Sequence, residues 1–342
     1  MSLAFNTLVR VGELTNRTIV LPVVIFFPTS RCNSRCVSCD WWKASGADDL
    51  TLDEIRALAV ALPGLGTRLV LFSGGEPLLR PEVFQVAELF RARGLTLHLH
   101  TSGVHLERMA ADVSRNFSRV IVSLDASSEA LYRAVRGVDA LALVEKGVAR
   151  LRTLAPDVQV LGRSTIHRFN FRDLPDLIEH ARAMSLDGIS FLPADVASLA
   201  FGRQAPPNAS LLALTPEEVA EFDSIVGDVI TRFDEAFETG FITDSPEKLR
   251  RLPQYYAALC GRAPFPAVAC NAPYMSVVVE ADGAVRPCFF HDAIGSVRQD
   301  PLGAIVRRNL PAFRASLSMP HDPVCRRCVC SMKTGWRSAP WD

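Results

Sequence analysis

The stretch Val20-Leu-Pro-Val-Val-Ile-Phe-Phe-Pro-Thr-Ser-Arg-Cys32-Asn-Ser-Arg-Cys36-Val-Ser-Cys39 decides the fold class of this chain. It begins with an apolar run that is too short to span a bilayer and is therefore predicted to be a buried strand. Three cysteines follow on one loop, spaced by three and then two residues. In βα barrels, chemistry collects on loops at the C-terminal ends of the strands. This loop is therefore a candidate site.

Strand-like and helix-like segments alternate along the first half of the chain. The predicted strands are Val20–Pro28, Arg68–Ser73, Thr96–Thr101, Arg119–Leu124, Val158–Ile166 and Gly188–Leu192. The predicted helices are Thr51–Leu62, Pro81–Arg93, His105–Arg115, Ala140–Leu154 and Leu174–Met184. Each strand is apolar enough that we expect neither of its faces to be wet. The alternation predicts an α/β fold, a partial (β/α)6 TIM-like barrel with a parallel sheet covered by helices.

The character of the sequence changes after Pro193. We predict a barrel domain over residues 1–193, a helical linker region over 194–259 and a smaller C-terminal α+β domain over 260–342. Thr215 and Pro216 start one linker helix, which is expected to reach about Phe237, and Pro246–Leu259 is a second. In the last domain, two short strands flank the Asp-Gly pair at 282–283, which is a hairpin signal.

Composition limits the partners and the compartment. The chain of 342 residues has 37 Lys plus Arg and 37 Asp plus Glu, so we expect neither nucleic acid nor a membrane as partner. We find no export signal and expect a cytoplasmic protein. We therefore do not expect its nine cysteines to form disulfides, because cytoplasmic thiols are kept reduced. Three cysteines near the start and six in the last third predict two separate metal regions.

The first cysteine group suits an iron–sulfur cluster. Three thiols on a short loop can hold three corners of a cubane and leave the fourth iron open, whereas a closed cluster takes four cysteines. Zinc is the main alternative, but structural zinc needs four ligands, and the nearest histidine in sequence, His98, lies on a predicted strand. Three buried free thiols would not explain the crowding on one loop.

Together with Ser73-Gly-Gly-Glu-Pro77 after the second strand, the Cys32, Cys36 and Cys39 group resembles the signature of the radical S-adenosylmethionine (SAM) enzymes. The resemblance covers about 23–192 and, more loosely, the tail. It implies that the open iron chelates SAM and that one electron cleaves SAM to a 5′-deoxyadenosyl radical, which abstracts a substrate hydrogen. It also implies an electron donor such as flavodoxin or ferredoxin.

The same resemblance indicates residues that bind SAM. The glycines would let the backbone approach the methionine moiety, and Glu76 would accept from its ammonium group. Several of these residues also have a purely structural interpretation. The glycine segment and Ser102 could form turns, Ser123 could cap a strand end, and the two arginines could be exposed to solvent. The candidate SAM-binding residues are Ser73, Gly74, Gly75, Glu76, Ser102, Ser123, Asp125, Arg136 and Arg163.

The second cysteine region resembles the auxiliary-cluster domain of SPASM/Twitch radical SAM proteins. Its pattern is Cys270, Gly283 and Cys288 followed by Cys325-Arg-Arg-Cys328, and these four cysteines are the predicted ligands of a second 4Fe-4S cluster. Cys260 or Cys330 could replace one of them, and a zinc ribbon is the alternative metal site. A cluster with four protein ligands should act as an electron relay, which favours net oxidation of the substrate.

Two titratable residues follow Cys288. His291 and Asp292 are candidate catalytic bases, because oxidising an alcohol radical to a carbonyl releases a proton as well as an electron. A solvent-facing turn is the alternative interpretation.

Three functions follow from these features. The first is an oxidising or remodelling radical SAM enzyme acting on a small polar metabolite of the sugar or aminocyclitol type. Only about twenty residues precede the first strand, and the lack of an added peptide-recognition domain there favours this substrate over a ribosomally made peptide. A non-catalytic iron–sulfur or zinc protein with a sensing or structural role is the third possibility.

Overall fold

One twisted sheet organises the molecule. The computed structural model describes residues 3–319 and 321–330, so the ends of the predicted terminal domains, residues 1–2 and 331–342, lie outside the described residues. The strands occur in the order β6-β5-β4-β3-β2-β1-β7-β8-β9. They are β1 Val23–Phe26, β2 Leu69–Phe72, β3 Thr96–Thr101, β4 Arg119–Ser123, β5 Gln159–Ile166, β6 Gly188–Pro193, β7 Ser276–Val279, β8 Ala284–Arg286 and β9 Gly295–Ser296.

Helices connect and flank the strands of this sheet. They are α1 Leu3–Thr15, α2 Leu52–Ala61, α3 Val83–Arg91, α4 Leu106–Asn116, α5 Glu129–Arg136, α6 Leu141–Leu154, α7 Leu174–Ala183, α8 Ala209–Leu212, α9 Pro216–Arg232, α10 Asp234–Glu238, α11 Pro246–Leu259, α12 Ala272–Met275 and α13 Leu302–Ser316. Neighbouring strands from β6 to β1 pair in parallel, so the predicted partial barrel is confirmed. Among the described residues, no helix is long and apolar enough to span a bilayer.

The helix starts follow from local side-chain chemistry. The Thr51 hydroxyl accepts from the backbone N–H of Glu54, whose carboxylate accepts from the Thr51 N–H, and Thr215 and Glu218 repeat this capping box on α9. The α9 helix ends at Arg232 and a separate short helix follows, so the expected single helix to Phe237 is wrong. Five of the helices were not predicted from the sequence, namely α1, α5, α8, α12 and α13.

The face of the sheet turned away from the helices is less apolar than expected. Strand β5 alternates partly exposed and buried residues along its whole length, and β4 does the same. The expectation that neither face of these strands is wet is therefore wrong. The partly exposed positions include Ser123 on β4, Arg163 on β5 and Ser190 on β6, which are register neighbours. This face supplies polar side chains to the barrel interior.

The C-terminal strands extend the barrel sheet. Strand β7 pairs in parallel with β1, residue for residue from Val23 with Ser276 to Phe26 with Val279. The predicted hairpin is confirmed, because β7 and β8 pair antiparallel around a turn in which Gly283 has a φ of 89°. The sheet therefore continues across the predicted boundary at residue 260, and the second cysteine region lies beside the first strand.

Candidate active site and auxiliary metal centre

The first cysteine loop is held from two sides. On one side, the backbone N–H groups of Arg35 and Val37 donate to the carbonyls of Arg136 and Val135, at 2.8 and 3.0 Å. These carbonyls belong to the last turn of α5, so this unpredicted helix binds the loop. On the other side, the Asp40 N–H donates to the Phe201 carbonyl at 2.9 Å. These backbone hydrogen bonds therefore fix the loop at the end of β1 without a contribution from a metal ligand.

The three thiols of this loop are costly to ionise in isolation. Burial raises the pKa of Cys32 to about 11 and that of Cys39 to about 12. Burial also raises the pKa of Cys36, although the Arg136 guanidinium opposes this shift. Thiolate ligands in such a setting require a bound cation, and the iron atoms of a cluster supply that charge. The donor set and its burial therefore fit an iron–sulfur cluster.

The spacing of the sulfurs argues against a single zinc ion. Within the described residues, the one group of three Cys, His, Asp or Glu ligands whose donor atoms all lie within 4.8 Å of one another is His291, Asp322 and Cys325. Three thiolates on one zinc ion lie about 3.8 Å apart, given Zn–S bonds of about 2.3 Å in a tetrahedron. Neither predicted cysteine set is that compact, as expected for corners of a larger cubane.

The Gly-Gly-Glu-Pro segment packs directly against this loop. Gly74 has a φ of 104°, which favours glycine. A Cβ on Gly75 would lie 2.2 Å from the Arg31 carbonyl oxygen and 2.6 Å from that of Ser30. The Glu76 N–H also donates to the Arg31 carbonyl, at 2.7 Å. The two motifs therefore form one unit, and its second glycine is required by close backbone contact.

Glu76 lies at the centre of a buried hydrogen-bond network. Its side chain is 1% exposed and accepts from the Thr101 hydroxyl at 2.8 Å, the Ser102 N–H at 2.5 Å and the Leu78 N–H at 3.0 Å. The Ser102 hydroxyl donates in turn to Oδ1 of Asn33, at 3.0 Å. The carboxylate is thereby oriented at the C-terminal ends of β2 and β3.

Asn33 was missed by the sequence analysis. Its Nδ2 atom is buried and has no hydrogen-bond partner among the described residues, although buried amide groups are normally paired. Asn33 adjoins Cys32 and contacts Ser102, so the unpaired donor lies between the two predicted SAM-binding motifs. An unsatisfied buried donor here fits a polar ligand. Its only sequence signal is its place between Cys32 and Cys36.

Asp125 and Arg136 bind each other. The Arg136 guanidinium donates to the Asp125 carboxylate at 2.7 Å, both side chains are 8% exposed, and Asp125 also accepts from the Thr165 N–H at 2.7 Å. Arg136 therefore has a buried partner within the chain, and its assignment to SAM stays a prediction. Arg163 donates to the Ser190 hydroxyl at 3.2 Å, and Ser123 lies beside it.

The second cysteine region forms an apolar pocket. Five of its cysteines line that pocket: Cys270, Cys288, Cys325, Cys328 and Cys330. Burial raises the pKa of the Cys288 thiol to about 11, and burial together with the Asp322 carboxylate raises that of Cys325. Cys260 is not among the lining residues, and its thiol contacts the Leu214 carbonyl at 3.4 Å. Cys330 is therefore the one alternative ligand that the geometry leaves.

The two predicted bases have different surroundings. His291 lines the cysteine pocket, and its Nε2 lies 3.4 Å from Sγ of Cys325 and 3.7 Å from the Asp322 carboxylate. Asp292 is exposed. Their role as proton acceptors stays a prediction, but only His291 is close to the metal centre.

Two family models match the two regions just described. A model of the radical SAM superfamily matches residues 26–181, and a model of SPASM, an iron–sulfur cluster-binding domain, matches residues 270–329. The chain therefore carries a radical SAM domain and a SPASM domain. Its radical SAM domain binds a 4Fe-4S cluster and SAM, and its SPASM domain indicates an auxiliary iron–sulfur cluster. The predicted family and cofactors are confirmed.

Several curated proteins resemble this chain over different lengths. GTP 3′,8-cyclase of Marinobacter nauticus is 29% identical over 230 residues, which are 66% of this chain and 66% of that protein. PqqA peptide cyclase of Rhodopseudomonas palustris is 27% identical over 246 residues, which are 70% and 61% of the two chains. The chain spans 42% to 66% of the length of the first curated relatives that it matches.

The fold of this radical SAM protein also matches solved structures. SuiB of Streptococcus suis, solved bound to S-adenosylmethionine, superposes with a TM-score of 0.64 over 94% of this chain and 75% of that chain. The sequence identity is 11%, so the likeness concerns the fold. It extends beyond the barrel into the C-terminal region.

Proposed function

We propose that this radical SAM protein is an enzyme that cleaves SAM reductively and uses the resulting radical to abstract a substrate hydrogen. The observation that carries the proposal is the close packing of the three-thiol loop against the buried Glu76 network. When bound, a reduced cluster with one open iron supplies the electron that cleaves SAM to a 5′-deoxyadenosyl radical. The residues of the chain hold SAM and exclude water.

The chain offers matched groups to the methionine end of SAM. Glu76 carries a fixed negative charge that suits an ammonium group, and Asn33 Nδ2 is an unused buried donor that suits a carboxylate. The absence of side chains at Gly74 and Gly75 allows a ligand to approach the backbone closely. A positioned SAM reduces the motion needed to bring one substrate hydrogen near the reactive carbon.

We propose a small polar metabolite of the sugar or aminocyclitol type as the substrate. The inward face of the barrel presents Ser123, Arg163 and Ser190, whose donors and acceptors suit hydroxyl groups. The C-terminal pocket has enough cysteines to close a second cluster, so it can take an electron from a substrate radical. The overall change would then be an oxidation, with His291 as the nearer candidate for the released proton.

A ribosomally made peptide is the second candidate substrate. PqqA peptide cyclase is similar to this chain over 70% of the length of this chain, and it is named for a peptide. The two candidates differ in mass and in protease sensitivity. Fractions of a host extract should therefore separate them by their effect on 5′-deoxyadenosine formation. Stimulation by a protease-resistant low-mass fraction supports the metabolite, and stimulation only by a protease-sensitive fraction supports the peptide.

The proposed activity is tested with anaerobically reconstituted protein, dithionite and SAM. We expect 5′-deoxyadenosine from the wild type and none from the triple variant Cys32→Ala, Cys36→Ala and Cys39→Ala. The iron and sulfide contents of that variant should fall from two clusters to one. Cys260→Ala is the matched control and should keep both clusters, because Cys260 does not line the auxiliary pocket.

A wild type that binds both clusters and SAM but makes no 5′-deoxyadenosine would instead indicate a sensor or a structural protein. A zinc content that matches the cysteine sites, with no iron, would contradict the proposal for both regions.

A further inference from the structure

Backbone N–H groups donate to three of the four predicted thiols of the auxiliary cluster. In the C-terminal pocket, the N–H groups of Ala272, Phe290 and Cys330 donate to sulfurs two residues earlier in the chain. These sulfurs belong to Cys270, Cys288 and Cys328, at 3.4, 3.5 and 3.4 Å. Such hydrogen bonds stabilise a thiolate ligand and tune the potential of its cluster.

Cys325 departs from this pattern. The N–H two residues later, that of Arg327, donates to the Val324 carbonyl at 3.2 Å. The Cys325 sulfur instead faces the imidazole of His291, whose Nε2 is 3.4 Å away. The His291 side chain therefore occupies, at Cys325, the position that a backbone N–H donor occupies at the other three cysteines.

The His291 imidazole is fixed in this position. Its ring packs edge-on against Phe313 with centroids 4.9 Å apart, and its side chain is 11% exposed. Asp322 lies 3.7 Å from Nε2 and is itself held by the N–H groups of Val324 and Cys325, at 3.0 and 2.8 Å. The same Nε2 atom thus approaches both the Asp322 carboxylate and the predicted cluster thiolate of Cys325, and the carboxylate also contacts the Cys325 thiol.

We propose that His291 is a positioning residue of the auxiliary cluster, in which its Nε2–H donates a hydrogen bond to the Cys325 thiolate and raises the reduction potential of that cluster. The reason is electrostatic: a donor withdraws negative charge from the thiolate, and this stabilises the reduced cluster, which carries one more electron. A higher potential favours acceptance of an electron from a substrate radical. The inference rests on the proposed function, because it requires Cys325 to be a cluster ligand.

Direct ligation by His291 is the competing arrangement. The donor atoms of His291, Asp322 and Cys325 lie within 4.8 Å of one another, which is compact enough for one metal ion. In a cubane bound by four cysteines, however, each iron takes one protein ligand. If Cys325 binds one of these irons, that iron has no position left for His291. The bond proposed here uses only Nε2, so it is compatible with proton acceptance at Nδ1.

The test uses the full-length protein with both clusters bound, followed by redox titration with electron paramagnetic resonance. The auxiliary signal is the one that does not change when SAM is added. We compare wild type with His291→Leu, which removes the donor, and with His291→Gln, whose amide N–H reaches the same position. His180→Leu is the matched control, because His180 pairs with Glu145 on the helical face of the barrel.

We expect His291→Leu to keep its iron and to shift the auxiliary potential to a more negative value. His291→Gln should recover most of that shift, and His180→Leu should show none. An unchanged potential in His291→Leu, or an equal shift in the Gln variant, overturns the proposal. Loss of iron from His291→Leu also overturns it, since a ligand and not a hydrogen-bond donor would then have been removed.

A measurement on the unmutated protein avoids dependence on folding of the variants. We label histidine with ¹⁵N and record pulsed electron paramagnetic resonance spectra of the reduced auxiliary cluster. A weak nitrogen coupling is expected, because the nitrogen reaches the iron only through a hydrogen bond to the ligand sulfur. A strong coupling indicates ligation, no coupling indicates no contact, and either overturns the inference. A wild type that binds only one cluster contradicts the proposed function instead, so the two failures are distinguishable.

Discussion

At the scale of single residues, the buried charge of Glu76 is the most informative feature of the site. A carboxylate that is 1% exposed and accepts three hydrogen bonds is held in one orientation. Such a group can receive a cationic ligand without moving. Glu76 is therefore oriented for the ammonium group of SAM by Thr101 and Ser102.

We expect Glu76→Gln to bind SAM roughly ten- to a hundredfold more weakly, because a hydrogen bond to a charged group contributes about 1.5–3 kcal/mol. Equilibrium dialysis of SAM against the reconstituted protein measures this effect, and the iron content should be unchanged. Glu107→Gln, an exposed acidic residue on α4, serves as the control. An affinity within twofold of wild type would remove Glu76 from the SAM site.

The sequence predicted functional residues where they belong to a recognisable motif. The three cysteines and Gly74 to Glu76 adjoin each other in space because they follow adjacent strands, and strand order was predictable from the βα alternation. Asn33 and Arg203 were not identified, because their importance lies in an unpaired buried atom and in a buried ion pair. Neither property leaves a pattern along the chain.

At the scale of elements, local signals predicted well and distant pairings did not. The capping boxes at Thr51 and Thr215 and the turn at Gly283 are encoded by a few adjacent residues, and all three are present. The parallel pairing of β7 with β1 joins segments about 250 residues apart, and no local preference encodes it. The short helix α5 was missed because its sequence lies between two strong strand and helix signals.

The contact between the first cysteine loop and the turn after β2 depends on Gly75. We expect Gly75→Ala to destabilise the reconstituted protein by about 1–3 kcal/mol or more, because the added methyl group meets backbone oxygens that cannot move independently. Urea unfolding under anaerobic conditions measures the stability, and dialysis measures the loss of SAM affinity. Gly64→Ala should be close to neutral, since a Cβ there has no atom within 4 Å. Equal effects of the two substitutions would contradict the packing argument.

At the scale of the whole molecule, the segment after β6 joins the barrel to the first cysteine loop. Arg203 and Asp195 form an ion pair at 2.7 Å whose side chains are 2% and 4% exposed. The Arg203 guanidinium also donates to the Ser38 carbonyl, next to Cys39. The same Asp195 lines a second cavity together with Phe290 and Cys328 from the auxiliary region. One buried pair therefore contacts the first cysteine loop and also lines a cavity that the auxiliary region shares.

We expect Arg203→Met to destabilise the protein by about 3–5 kcal/mol, because it leaves the Asp195 carboxylate buried without its partner. The double variant Arg203→Met with Asp195→Asn should recover part of that loss, since no unpaired charge remains. Arg172→Met breaks the exposed pair with Glu221 and should cost about 0–1 kcal/mol. Urea unfolding of the reconstituted proteins measures all three.

The release of iron to a chelator should be faster in Arg203→Met, because Ser38 then loses the contact that holds the loop beside Cys39. If Arg203→Met is no more destabilising than Arg172→Met and releases iron at the wild-type rate, the buried pair does not hold the cluster loop.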